Sequence, residues 1–129
     1  MTSNLIELAE VFIGHWNADR MEDALAMLSD DVHYDNVPFP TITGRDGVRD
    51  FHVDFGFGKD FRADWKVVNI AASGNVVLSE RVDTFIHTSG GTIALPMMGT
   101  LTFENGIITV WRDYFDPADF QRQLDQIKR

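Results

Sequence analysis

The sequence contains no cysteine. Disulfide bonds, zinc sites built on thiolates and catalysis by a thiol are therefore excluded. Its apolar runs all fall short of the roughly 20 residues that a membrane-spanning helix needs. Its first residues carry no basic segment ahead of an apolar stretch, so the sequence predicts no secretion signal. From these absences we expect a cytoplasmic protein.

Basic side chains are also scarce. The sequence has 11 lysines and arginines against 20 acidic residues, which gives a formal net charge of −9. Nucleic acids and anionic membranes both select basic surfaces, so neither is expected as a partner. The four histidines lack the spacings of metal ligands, and there is neither a Gly-x-Ser-x-Gly elbow nor a phosphate-binding glycine motif. We therefore expect no metal and no cofactor.

What the sequence does contain is the pattern of an α+β domain. Its 129 residues, 44% of them hydrophobic, suit one domain over residues 1–129. Apolar spacing predicts helices over 5–16 and 21–28, a third with Val48, Phe51 and Phe55 on its inner side, and a fourth starting at Asp116. Alternating patterns predict strands over 32–37, 62–72, 76–87, 92–103 and 107–115, the last four as an antiparallel meander.

The last predicted strand holds a carboxylate in an unfavourable place. Asp113 lies between Trp111 and Phe115 on a strand face that is otherwise apolar. A buried carboxylate is costly unless it is paired or hydrogen-bonded. Arg81 and Asp83 lie two residues apart on another apolar strand, so both project from one face. Because a guanidinium can serve two carboxylates at once, Arg81 is a candidate partner for both acids.

Tyr34 and Asn36 form a second polar pair with the same spacing, and both pairs would point toward one interior. One explanation for these residues is a structural ion-pair cluster. The other is an active site, because a purely structural core rarely collects an arginine, two aspartates, a tyrosine and an asparagine. Two neighbouring carboxylates tend to titrate apart, one keeping its proton while the other stays ionised. The sequence leaves open whether burial or Arg81 dominates at Asp83.

These polar residues belong to a set of short motifs that resembles the limonene-1,2-epoxide hydrolase family. The resemblance extends over about residues 34–120, and the combination of its two longest motifs at this spacing is specific. The motifs are Tyr34-x-Asn36, Pro38, Gly44-Arg45-Asp46, Glu80-Arg81-Val82-Asp83, Gly99, Gly106-x-Ile108 and Trp111-Arg112-Asp113-Tyr114-Phe115-Asp116. The resemblance implies the cone-shaped NTF2-like fold, with a curved, mostly antiparallel mixed sheet and N-terminal helices packed on its concave side.

The resemblance also implies a reaction and a role for each polar residue. Asp113 would be the general base for a water held by Tyr34 and Asn36. Asp83, protonated, would give its proton to the epoxide oxygen, and Arg81 would orient both acids. The implied activity is a one-step, cofactor-independent hydrolysis of an epoxide to a vicinal diol of trans type, carried out by a homodimer.

Several apolar residues are candidates for the substrate pocket, although each is equally consistent with plain core packing. They favour an apolar, cyclic or aryl-substituted epoxide such as limonene oxide, and they are Phe85, Leu95, Met97, Phe115 and Phe120. Two alternatives remain on the same fold: a ketosteroid-isomerase-like or cyclase-like enzyme, and a non-catalytic protein that binds a small hydrophobe. An isomerase would have no use for a cation between two acids, and a binding protein would leave the convergent polar groups unexplained.

Overall fold

The computed structural model describes residues 2–127. Helices come first, followed by strands interrupted by one further helix, and a last helix closes the described chain. The elements are α1 (Thr2–Asn17), α2 (Met21–Leu25), β1 (Leu28–Val37), β2 (Ile42–Thr43), α3 (Arg45–Phe55), β3 (Phe61–Ser73), β4 (Val76–His87), β5 (Thr92–Glu104), β6 (Ile107–Tyr114) and α4 (Pro117–Asp125).

The strands form one curved mixed sheet in the order β2-β1-β6-β5-β4-β3. β3 to β6 pair as an antiparallel meander, and β2 pairs antiparallel with β1. β1 runs parallel to β6, so the chain between them crosses over through α3 and the first three strands of the meander. The α+β class and the mostly antiparallel mixed sheet expected from the sequence are confirmed.

Helices cover one face of the sheet, and the other face is more open. Along β4 and β5 buried residues alternate with more exposed ones, as a strand with one covered face requires. α1 packs across β3 and buries Phe12 and Trp16, while α3 buries Val48 and His52. The polar residues of interest therefore share their side of the sheet with these helices. Within the described residues, no helix is both long and apolar enough to cross a bilayer.

The second helix is shorter than the sequence predicts. α2 ends at Leu25, and Leu28 begins β1 instead of ending the helix. Leu28 pairs with Ile108 of β6, and the Ile108 N–H donates to the Met27 carbonyl. This pairing with a distant strand outweighs the local helical spacing. The two-residue strand β2 was also missing from the predicted elements.

The third helix buries a different side chain from the one predicted. Val48 is buried as expected, but Phe51 is 42% exposed and His52 is buried in its place. Phe51 and His52 lie three and four residues after Val48, and either can share its helix face; the apolar pattern pointed to Phe51, but His52 faces the core. The His52 Nδ1–H donates to the Val48 carbonyl at 2.8 Å, and the imidazole stacks on the ring of Trp111 at 5.6 Å. These contacts allow a polar side chain to occupy the core.

Candidate active site

The register of the sheet brings the predicted polar residues together. In the parallel pair, Tyr34 lies beside Trp111, and Asn36 lies beside Asp113. Asp113 in turn pairs with Gly99 on the adjacent strand β5. The pair on β1 therefore lies directly beside Asp113 on β6, while β5 separates Asp113 from the pair on β4. The convergence of the β1 pair with Asp113 is a product of β1–β6 pairing.

Arg81 connects the two aspartates. Its Nε donates to Asp83 Oδ1 at 2.9 Å and its Nη2 to Asp83 Oδ2 at 3.0 Å, which makes a two-point contact. The same Nη2 donates to Asp113 Oδ1 at 2.9 Å. Ser79 Oγ accepts from Nη1 at 2.9 Å, and Met97 Sδ accepts from Nη2 at 3.0 Å. Since all five residues are buried, the guanidinium is held in one orientation and one charge is shared by two acids.

The second carboxylate oxygen of Asp113 also has a donor. Trp111, two residues earlier on β6, donates its Nε1–H to Asp113 Oδ2 at 3.1 Å. The ring of Trp111 is itself stacked on Tyr34, with centroids 4.2 Å apart. The orientation of the Asp113 carboxylate is thus fixed on both oxygens, and one of its two anchors packs directly on the tyrosine.

Gly99 leaves the space that the ion pair occupies. A Cβ atom at this position would overlap Asp113 Oδ1 and would lie 2.7 Å from Arg81 Nη1. Arg81 can reach across β5 to Asp113 because the residue between them has no side chain. The requirement at this position is for space, since no left-handed backbone conformation is recorded there.

Burial decides the titration of Asp83. Loss of solvent raises the pKa of this carboxyl, the charge and hydrogen bonds of Arg81 lower it, and the nearby Asp113 raises it again, with a result of about 6. For Arg81, burial acts to lower the pKa, but both carboxylates outweigh it and the net shift is upward. The site therefore combines a permanent cation with an acid whose affinity for its proton is raised.

Tyr34 and Asn36 stand beside Asp113 without bonding to it directly in the described structure. Burial raises the pKa of the Tyr34 hydroxyl far above its ordinary value, the charge of Asp113 adds to this rise, and the Asn36 side chain opposes it. Tyr34 is thus a neutral phenol at any physiological pH and can both donate and accept a hydrogen bond.

The predicted substrate-lining residues occupy two environments. Phe85, Leu95 and Met97 are buried on the inner faces of β4 and β5, whereas Phe115 and Phe120 are half-buried. The rings of Phe85 and Phe120 lie 6.5 Å apart, and those of Phe115 and Phe120 lie 6.3 Å apart. Met97 has a polar role besides, since its sulfur accepts from Arg81.

Three contributors to the site were not recognised from the sequence. Ser79 has the same two-residue spacing from Arg81 that Arg81 has from Asp83, so a strand-face count could have found it. Trp111 has this spacing from Asp113, so the same count could have found it. His52 carried no usable signal. Its burial lowers its pKa to about 4, against a small rise from the Val48 carbonyl, so it is a neutral imidazole.

A metal has no set of ligands in the described part of the chain. Among residues 2–127, no group of three or more histidine, aspartate or glutamate side chains converges as metal ligands would. The two site aspartates are instead occupied by Arg81 and Trp111.

Comparison with known proteins identifies the family. The family model for the limonene-1,2-epoxide hydrolase catalytic domain matches residues 3–127. Epoxide hydrolase EphG of Mycobacterium tuberculosis (strain ATCC 25618 / H37Rv) is 31% identical over 119 residues, which cover 89% of this chain and 75% of that protein. The chain therefore belongs to the limonene-1,2-epoxide hydrolase family.

Solved structures agree on the fold. The structure of an M. tuberculosis LEH-like epoxide hydrolase superposes with a TM-score of 0.82 at 30% identity, covering 97% of this chain and 92% of that one. A putative polyketide cyclase from Xanthomonas campestris pv. campestris gives 0.85 at 20% identity, covering 95% and 98%. A putative isomerase from Bacillus subtilis gives 0.78 at 15% identity, covering 94% and 92%. The NTF2-like fold that the resemblance implied is confirmed.

Proposed function

We propose that this protein hydrolyses an epoxide to a vicinal diol in one step, with Asp113 as general base and Asp83 as general acid. The observation that carries the proposal is Arg81, which is buried and bonded to both carboxylates while the pKa of one of them is raised to about 6. Membership of an epoxide hydrolase family supports the same chemistry.

The proposed reaction needs no covalent intermediate. Asp113 takes a proton from a water molecule bound by Tyr34 and Asn36, and the water oxygen attacks one epoxide carbon from the face opposite the ring oxygen. The bond between that carbon and the ring oxygen breaks, and the oxygen takes the proton of Asp83. The product is a trans-type diol, after which Asp113 holds a proton and Asp83 is ionised. The site is restored when Asp113 passes its proton to Asp83, or when Asp113 releases its proton to solvent and Asp83 takes one from solvent.

The electrostatics suit an acid and a base acting together. An epoxide is strained but has a poor leaving oxygen, so protonating that oxygen as water attacks lowers the barrier. Arg81 stabilises the ionised form of whichever acid has lost its proton, and it holds both carboxylates at a fixed separation. Fixing the reacting groups in this way supplies part of the rate acceleration.

The direct test is a diol assay on a small panel of epoxides: limonene, cyclohexene and styrene oxides. We expect diol from at least one, without added metal and in the presence of EDTA. Asp113→Asn is nearly isosteric and keeps an acceptor for Arg81, so it should fold normally and lose at least about 100-fold in activity. Full activity in this variant would exclude Asp113 as the base.

The rival activities have no specific observation in their favour. The cyclase and isomerase neighbours are 20% and 15% identical, so they share the fold with this chain and carry no activity to it. For the substrate, the aromatic rings of Phe55, Phe85, Phe115 and Phe120 form a contiguous cluster, which supports an apolar cyclic or aryl epoxide.

We further propose a homodimer that covers the outer face of the sheet. Val68, Met98 and Tyr114 stand on this face with 55%, 49% and 48% of their surfaces exposed, and they line a groove of about 430 Å³. Exposed apolar patches of this kind mark interaction surfaces. Light scattering after size exclusion should give twice the chain mass for the wild type and the chain mass for Met98→Glu; a monomeric wild type would exclude the dimer.

A cytoplasmic location stays a prediction of the sequence. Fractionation of cells that produce the full-length natural protein, followed by detection with an antibody, should recover it with cytoplasmic markers; recovery with membranes or in the medium would contradict the prediction.

A further inference from the structure

Two indole N–H groups in the interior have no acceptor. Trp16 of α1 and Trp65 of β3 are 2% and 5% exposed, and among the residues that the structure describes the Nε1 of each has no hydrogen-bond partner. A buried N–H without a partner costs free energy, and native cores contain few of them. Phenylalanine would fill a similar space without that cost. The indole pair, Trp16 and Trp65, therefore calls for an explanation.

The indole pair lies next to the proposed acid. Trp65 is the register partner of Asp83 on the neighbouring strand. The backbone N–H and C=O of Trp65 bond to the side chain of Asn17, at 2.8 and 2.9 Å, and so point away from β4. Trp65 and Asp83 therefore form a non-hydrogen-bonded pair of the antiparallel ladder, in which the two Cα atoms lie about 4.5 Å apart. Trp16 stacks on Trp65 with ring centroids 5.7 Å apart.

The protein around the indole pair offers no acceptor to either N–H. Phe57 lies 5.9 Å from the Trp16 ring and 6.1 Å from the Trp65 ring, and Phe85 lies 5.9 Å from Trp65. His52, 4.4 Å from Trp16, does not accept from it. A partner for these donors must then be a molecule bound in the interior, either a water or a group of a ligand.

We infer that the substrate is an epoxide that carries a second, neutral oxygen acceptor, such as a ketone or an ether, and that the indole pair donates to this oxygen. The inference rests on the proposed function and narrows its substrate class. A neutral acceptor fits better than a carboxylate, because the site already holds two aspartates and Arg81 is committed to both. Because Trp65 lies beside Asp83, the epoxide oxygen of the substrate can accept from Asp83 while its second oxygen, a short distance away, accepts from the indole N–H groups.

Two isosteric substrates test this inference. One is limonene 1,2-oxide, and the other is the same epoxide with its isopropenyl group replaced by acetyl, which exchanges C=CH2 for C=O and leaves the epoxide itself unchanged. We expect the wild type to favour the acetyl compound by about tenfold in kcat/KM, the worth of one hydrogen bond. Trp16→Phe and Trp65→Phe should each lower this ratio, and the double variant should bring it close to one.

Comparing kcat/KM for the two substrates within each variant removes any effect of the substitution that is common to both substrates. Phe57→Leu is the matched control, because it loosens packing on both indoles without removing an N–H, and it should keep the preference. Benzothienylalanine in place of Trp65 removes the N–H while preserving the bicyclic ring, in case phenylalanine disturbs the fold. A wild-type ratio near one, or a ratio unchanged in both tryptophan variants, would overturn the inference while leaving epoxide hydrolysis in place.

A binding measurement covers the case in which no epoxide is hydrolysed. The three tryptophans give three indole signals in a nitrogen–proton correlation spectrum. Methyl cyclohexyl ketone should move the Trp16 or Trp65 indole proton downfield, and isopropenylcyclohexane should not. A shift without any diol formation would remove the hydrolase proposal and keep the acceptor site. Equal spectra with both compounds would overturn the acceptor site.

Discussion

At the scale of single residues, burial favours the uncharged form of two side chains and so shifts their pKa values in opposite directions. It raises the pKa of Asp83 to about 6 and lowers that of His52 to about 4. The sequence could identify Asp83 as an unusual carboxylate, but it could not weigh burial against Arg81, because the depth of a residue depends on what packs over it. His52 was not predicted at all, because histidine is intermediate between buried and exposed residue types and its identity alone gives no signal.

The raised pKa of Asp83 predicts the pH dependence of the proposed reaction. The acid must carry its proton, so kcat/KM on limonene oxide should fall about tenfold per pH unit well above pH 6. The two aspartates interact, so this limb belongs to the pair. Initial rates between pH 5 and 9, corrected for uncatalysed opening, give the profile. A kcat/KM that stays constant between pH 6 and 9 would remove Asp83 from its role as acid.

At the scale of elements, the two-residue spacing on strands was the reliable signal. It correctly placed Arg81 with Asp83 and Tyr34 with Asn36, because alternate residues of a strand must share a face. The sequence could not show that β1 would pair in parallel with β6, and this pairing brings Asn36 beside Asp113. Local apolar patterns failed where a distant partner decided the outcome, as at Leu28.

Gly99 is the position on β5 where this arrangement is most sensitive. In Gly99→Ala the new methyl group would collide with the Arg81–Asp113 pair. We expect a loss of about 1–3 kcal/mol in the free energy of unfolding and about 100-fold in kcat/KM, because the two groups must separate. Urea unfolding and the diol assay measure the two effects.

Gly14→Ala is the matched control on α1, since a Cβ there meets nothing within 4 Å. It should leave activity unchanged and stabilise the protein by about 0.5–1 kcal/mol. Wild-type activity in Gly99→Ala would show that the Arg81–Asp113 contact is not needed for the reaction.

At the scale of the whole molecule, His52 and Asp83 make the free energy of unfolding depend on pH with opposite signs. Between about pH 4 and 6.5 the unfolded chain binds a proton at His52 that the folded protein does not, so stability rises with pH. Between about pH 3.8 and 6 the folded protein binds a proton at Asp83 that the unfolded chain does not, so stability falls with pH. Each slope reaches about 1.4 kcal/mol per pH unit, and the two nearly cancel.

Variants at these positions should expose each slope. Relative to the wild type, His52→Phe should lose stability as the pH rises from 4 to 6, and Asp83→Asn should gain it. Urea unfolding at half-unit pH steps gives the free energy of unfolding of each protein. Subtracting the wild-type value at each pH removes the contribution of the titrating groups that the variant and the wild type share. Parallel pH curves for the wild type and both variants would show that neither shift exists.

The central claim is that water attacks the epoxide directly, without a covalent bond between substrate and protein at any stage. The most direct measurement is a single turnover in ¹⁸O-labelled water with the enzyme in excess over the epoxide, followed by mass spectrometry of diol and protein. The account predicts one ¹⁸O atom in the first diol formed and no label in the protein. An unlabelled first diol, with ¹⁸O retained in an aspartate side chain, would contradict it.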